Sequence, residues 1–152
     1  MSDSGGLERY RGVKGLYLLV IGLEEGDYRV GRLYEGKLPD GFYVYIGSAW
    51  GSGGLGARLS RHLVRSKKVH WHIDWITSDP RSRVSSVYIL PGVKGESDLY
   101  NIVSSIGGCI IPGFGSSDDP GSRCHLLYLK TDLDVLEGIL SEFYPNYIKI
   151  LL

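Results

Sequence analysis

The residues best suited to chemistry lie in one interval of the chain. Gly41-Phe-Tyr-Val-Tyr-Ile-Gly47 runs into Ser48-Ala-Trp-Gly-Ser-Gly-Gly-Leu-Gly-Ala-Arg58-Leu-Ser-Arg61-His62. No acidic residue occurs between Asp40 and Asp74, whereas Arg58, Arg61, Arg65, Lys67, Lys68, His62, His70 and His72 all fall there. The chain as a whole has a formal net charge of +0, so this positive charge is a local concentration that points to a polyanion. Cleaving a phosphodiester needs a nucleophile, charge stabilisation on the phosphoryl oxygens and a proton for the leaving oxygen. Arg58 can grip a non-bridging oxygen with two donors in a fork. His62, one turn further along the same helical face, can transfer a proton near neutral pH. Tyr45, with Tyr17 upstream, can orient or deprotonate an attacking water. Glu96 downstream can hold one hard divalent cation, Mg2+ or Mn2+, with water and phosphate completing the shell.

Taken singly, each of these residues has an ordinary structural role. A strand tyrosine packs half-buried, Arg58 and His62 solvate a helix face, and Glu96 answers a helix dipole. Their combination in this order is what makes a site. Arg61, Arg65, Lys67 and Lys68 extend it as backbone contacts, which add affinity without sequence information and weaken with salt.

His70-Trp-His72-Ile-Asp74 forms a second constellation. As a strand, it places His70, His72 and Asp74 on one face, where they brace the neighbouring helix, touch phosphate, or bind a metal if Cys124 or His125 converges on them. As a helix, it stacks Trp71 and Trp75 instead. Asp118 and Asp119, in a glycine-rich stretch, read as turn formers, with metal binding as the alternative.

The elements that must position these residues follow from the apolar pattern. Gly15 to Ile21 is a continuous apolar run, hence a strand buried on both faces. Short strands are expected at Tyr28–Leu33, Gly41–Ile46 and Val84–Leu90. A helix is expected over about Leu55–Val64, and another from Glu96 with Leu99, Ile102, Val103 and Ile106 at helical spacing, ended by Gly107-Gly108. Cys109–Ile111, Cys124–Leu129 and Tyr147–Leu151 read as strands, and Leu133 to Phe143 as an amphipathic helix. This order predicts an α+β fold with a small, largely antiparallel sheet.

Gly15-Leu16-Tyr17 and Tyr45-Ile46-Gly47 on successive strands resemble the two halves of the GIY-YIG nuclease signature. Arg58, His62 and Glu96 fall at the matching later positions, and this resemblance covers about 15–106. Gly47-Ser-Ala, Arg61-His-Leu, His70-Trp-His-Ile-Asp74, Phe114-Gly-Ser-Ser-Asp118 and Cys124-His-Leu126 resemble more narrowly an archaeal GIY-YIG-like domain of uncharacterised function, sometimes fused to endonuclease III. That resemblance extends over nearly the whole chain, with 107–152 as a C-terminal extension. It implies a metal-dependent endonuclease acting on duplex, damaged or branched DNA in repair, in functional association with a base-excision glycosylase. Departures are the long glycine loop between Tyr45 and Arg58 and Ser48 where many members carry lysine. They keep open a catalytically inactive nucleic-acid-binding module of the same fold. A metalloenzyme built on His70, His72 and Asp74 is the third reading.

The chain has 152 residues, 43% hydrophobic and 22% charged, which suits one globular domain spanning 1–152. No apolar run approaches the roughly 20 residues of a membrane span, and residues 1–10 lack a signal-peptide core, so a cytoplasmic location is expected. Cys109 and Cys124, the only cysteines, read as reduced, buried thiols. The absence of glutamine and the scarcity of asparagine and methionine lean towards a thermophilic source.

Overall fold

A computed structural model describes residues 4–115 and 124–152, so Asp118 and Asp119 lie outside the described residues. The chain begins with a short helix α1 (Ser4–Leu7) and a 3-10 turn at Glu8–Tyr10, then strands β1 (Gly15–Leu23), β2 (Gly26–Val30), β3 (Tyr34–Leu38) and β4 (Gly41–Ser48). Helices α2 (Gly54–Leu63) and α3 (His72–Thr77) follow, then β5 (Ser82–Pro91) and α4 (Glu96–Val103). The remaining elements are β6 (Gly107–Cys109), β7 (Leu126–Leu129), α5 (Leu133–Phe143) and β8 (Ile148–Leu151). One sheet has the order β6-β7-β4-β1-β5-β8 with every pairing antiparallel, and β2–β3 is a separate hairpin. The expected α+β architecture is therefore the one observed.

β1 lies inside this sheet and is covered on both faces, which is why its apolar run does not alternate with polar residues. Tyr17, Leu19 and Ile21 enter one core with Leu55, Leu59, Ile73, Ile76 and Phe114. Leu16, Leu18 and Val20 enter a second core with Leu99, Val103, Leu136 and Leu140. The period of two thus sorts α2 and α3 to one face and α4 and α5 to the other. Each fully buried aliphatic side chain in these layers contributes about 1.5–3 kcal/mol.

Two glycines fix the pairing at the end of the sheet that carries the candidate site. Gly47 pairs with Tyr17, and a Cβ there would sit 2.2 Å from Tyr17 Cζ. Gly15 pairs with Pro91, and a Cβ there would sit 2.3 Å from the Leu90 carbonyl oxygen. Both glycines are required by close approach, not by φ.

Several expectations need correction. Tyr34–Leu38 is a strand that the apolar pattern does not announce, because Glu35 and Lys37 face solvent and Gly36 has no side chain. Of the strand and helix readings both open for Val69–Thr77, the helix is the one observed, α3 beginning at His72. Asp74, at its third position, turns its Oδ2 back to accept the His70 and Trp71 N–H groups, each at 2.9 Å. α4 stops at Val103, ahead of Gly107-Gly108. The Ser104 and Ser105 hydroxyls donate to the Asn101 and Ile102 carbonyls of its last turn, and those glycines instead open β6. The strand expected at Cys109–Ile111 accordingly ends at Cys109. Cys109 and Cys124 are joined in a disulfide rather than held as thiols; the fold brings their Cα atoms to 5.8 Å, a separation that sequence spacing does not reveal. Among the described residues no helix is long and apolar enough to cross a membrane.

Candidate functional site

The C-terminal end of β4, the start of α2, the turn before α3 and the N-terminus of α4 meet around a cleft of about 310 Å³. It is lined by Tyr45, Ser48, Arg58, Trp71, His72 and Glu96, with Gly47, His70, Gly115 and His125 completing the wall. Tyr45, Arg58 and Glu96 thus share one open concavity, although the first and last are 51 positions apart in the sequence.

Tyr17 and His62 belong to the same site but form its floor. Tyr17 is fully buried and His62 is 1% exposed. The Tyr17 hydroxyl and His62 Nε2 share a hydrogen bond of 2.7 Å. Tyr45 leans over both, its ring centroid 6.3 Å from that of Tyr17 and 5.9 Å from that of His62. Burial, with Lys67 second, pushes the His62 imidazole down to about 3, so the ring is neutral at pH 7. Burial likewise raises the Tyr17 phenol well above its ordinary value, with Tyr45 adding to the shift. Tyr45 is also raised, first by burial and then by the Glu96 carboxylate, while Arg58 acts in the opposite direction. His62 Nδ1 is buried and finds no hydrogen-bond partner among the described residues.

Arg58 lies flat against the indole of Trp71, its guanidinium carbon 4.5 Å from the ring centroid, and Arg61 stacks on the same ring at 4.6 Å. This contact restrains Arg58 at the wall of the cleft that it helps to line. Arg61 is spent differently, donating to buried Asp74 at 2.5 Å and to the Lys68 carbonyl. Lys67 is nearly buried and caps α2, donating to the Arg61 and His62 carbonyls and to Thr77 Oγ1. Arg65 donates to the Asp79 and Ser82 carbonyls. Lys68 is exposed. Of the four basic residues expected at a nucleic-acid backbone, three are therefore engaged within the protein.

The His70, His72 and Asp74 group is not brought together. Burial pushes the Asp74 carboxyl up, but the Trp71 and His70 N–H donors, Arg61 and Lys67 outweigh it and hold it below the ordinary carboxylate range. Its side chain points inward beneath α2 while His70 and His72 line the cleft. The backbone N–H of Gly115 donates to His72 Nδ1 at 2.8 Å.

His125 is a cleft residue that the sequence offered only as a distant metal ligand. Its backbone joins the Phe114 carbonyl to the Ile46 amide, and its Nδ1 lies 3.7 Å from Glu96 Oε2 and 3.3 Å from the Ile46 carbonyl oxygen. The Cys124-His-Leu126 string was the available signal. Glu96 is half-buried with its carboxylate in the cleft, and among the described residues no group of three or more His, Cys, Asp or Glu could hold a metal ion. A lone carboxylate beside open space suits a hard cation that keeps most of its ligands as water and substrate oxygen, not a closed protein cage.

Comparison with curated proteins and with solved structures finds no match. A family model described as a domain of unknown function, DUF123, matches residues 16–144, a span that contains every cleft residue named above. The chain belongs to the DUF123 family.

Proposed function

We propose that the cleft binds the phosphodiester backbone of DNA and that the protein is a GIY-YIG-like, metal-dependent endonuclease. The observation that carries this reading is the convergence of Tyr45, Arg58 and Glu96 on one open concavity. Two further points support it: the relation of the DUF123 family to GIY-YIG-like domains, and the antiparallel pairing of Gly15-Leu16-Tyr17 beside Tyr45-Ile46-Gly47. Arg58, pre-oriented on Trp71, neutralises a non-bridging oxygen as charge builds there. Tyr45 positions the attacking water, and the Tyr17–His62 hydrogen bond holds the floor on which Tyr45 rests. Glu96 would hold the cation, which when bound supplies Lewis-acid polarisation of the phosphoryl group.

A second reading, a binding module without catalysis, is favoured by one observation: both phenols are pushed up and His62 is held neutral, which removes the obvious proton carriers at pH 7. One experiment separates the two. Nicked, branched, abasic and intact duplexes are incubated with magnesium or manganese, with Glu96→Gln as control. The nuclease reading expects cleavage of at least one substrate, abolished in the control. Salt-sensitive binding that the control retains, with no cleavage of any duplex, establishes the binding module instead.

A further inference from the structure

We infer that His72 is a substrate-contacting residue of this cleft, a neutral imidazole that the main chain fixes as a one-way hydrogen-bond donor to a phosphoryl oxygen. The inference rests on the phosphodiester reading above and adds a donor on the wall away from α2.

The argument starts from the Gly115 amide. A backbone N–H can only donate, so the nitrogen receiving it, Nδ1 of His72 at 2.8 Å, carries a lone pair. The single proton of the neutral ring then sits on Nε2. Protonating the ring would set an Nδ1–H against the Gly115 N–H, and burial of the side chain opposes the charge in the same direction. Phe114 packs against the ring at a centroid distance of 5.7 Å and limits its rotation. Among the described residues nothing accepts from Nε2, and Nε2 is not among the sealed, unpartnered polar atoms. The ring lines the cleft that Arg58 also lines, so the free N–H is available to an anionic oxygen held there.

His125 supplies the contrast. Its Nδ1 faces the Ile46 carbonyl and the Glu96 carboxylate, groups that only accept. A proton is thus placed on His125 Nδ1, the nitrogen that is left bare in His72. The two histidines of one cleft present Nδ1 to opposite kinds of partner, a donor at His72 and acceptors at His125. An Nε2–H nitrogen has no lone pair for a metal, so His72 cannot join a cation site through the nitrogen that is free.

The test uses the full chain. Long-range 15N NMR of the imidazoles at pH 7.5 is expected to show protonated Nε2 for His72 and protonated Nδ1 for His125. A proton on His72 Nδ1 overturns the inference whatever the protein does to DNA. Duplex affinity is then measured without divalent metal for wild type, Arg58→Ala, His72→Ala and His72→Gln. His72→Ala is expected to bind about tenfold more weakly, the loss of one hydrogen bond to a charged oxygen, and the amide of His72→Gln is expected to recover part of that. Weaker binding in Arg58→Ala with none in His72→Ala removes His72 from the contact and leaves the phosphodiester reading standing. Unchanged affinity in both variants removes that reading and the inference with it. The tautomer measurement needs no variant, so a poorly folded His72→Ala protein does not blunt the test.

Discussion

The cleft and the network beneath the C-terminal end of α2 draw on the same basic interval, and they use it in opposite ways. In the cleft, Arg58 is stacked on Trp71 and lines the same space as His72 and Glu96. Beneath α2, Asp74 is fully buried and receives Arg61 and the His70 and Trp71 amides, while nearly buried Lys67 closes the helix. One region sets its polar groups around open space; the other turns most of its donors inward, although Asp74 Oδ1 itself finds no hydrogen-bond partner among the described residues. A run of positive charge in a sequence therefore measures neither surface potential nor function until its partners are known. Substitutions in the network should cost stability, whereas those in the cleft should cost function at nearly constant stability.

The largest expected effect lies in the network. Asp74→Ala removes the counter-charge of nearly buried Lys67, the carboxylate partner of Arg61 and the acceptor of two amides, and a loss of about 3–5 kcal/mol in urea unfolding is expected. A loss below about 1 kcal/mol would erase the distinction between the two regions. A second effect is pH dependence from His62. Its folded-state value, about 3, lies below the ordinary imidazole value of 6.5, so the unfolded chain binds the extra proton between these limits. Stability from this group is fully present above pH 6.5 and falls as the pH drops towards 3, by about 1.4 kcal/mol per pH unit for one proton. Asp74, lowered from 3.8, adds its own loss only once the pH falls below about 3.8. Unfolding curves from pH 7 to 4 should show the slope in wild type, and a slope that survives in His62→Phe would assign it elsewhere.

Third comes Gly47→Ala, which drives a methyl into the Tyr17 ring and should cost about 1–3 kcal/mol by overpacking. Because Gly47 lies between floor and cleft, this change should lower both thermal midpoint and DNA affinity. The smallest effect separates neighbours. Lys68→Ala should leave stability within about 0.5 kcal/mol and reduce the salt slope of DNA binding by about one ion. Lys67→Ala should do the reverse, with a lower thermal midpoint and an unchanged slope.

The parts legible in the sequence were those governed by a strong period. β1 is continuous because it is covered twice, and α2, α4 and α5 show their apolar stripes. Tyr45, Arg58 and Glu96 could be assembled because strand–loop–helix order constrains where their side chains point. Val69–Thr77 could not be settled, since its alternation of aromatic and polar residues satisfies both periods; Asp74 decided it by bonding backward to two amides. Burial was also illegible. His62 read as a solvated helix face, but the fold sets it with Tyr17 under Tyr45, and the engagement of Lys67 depends on carbonyls exposed only once α2 ends. His125 escaped because its partners, Ile46 and Glu96, are distant in sequence.

The Cys109–Cys124 bond bears on all of this. It closes a covalent ring around the stretch that contains Phe114 and Gly115, and Cys124 directly precedes His125. The amide that sets the His72 tautomer and the backbone that carries His125 are thus tethered by a linkage any accessible thiol reductant can open, and Cys109 is exposed. Such bonds are rare in reducing cytosol but persist inside hyperthermophiles. Reduction of this bond would release the tether on the Gly115 amide and on the His125 backbone without altering any residue that lines the cleft.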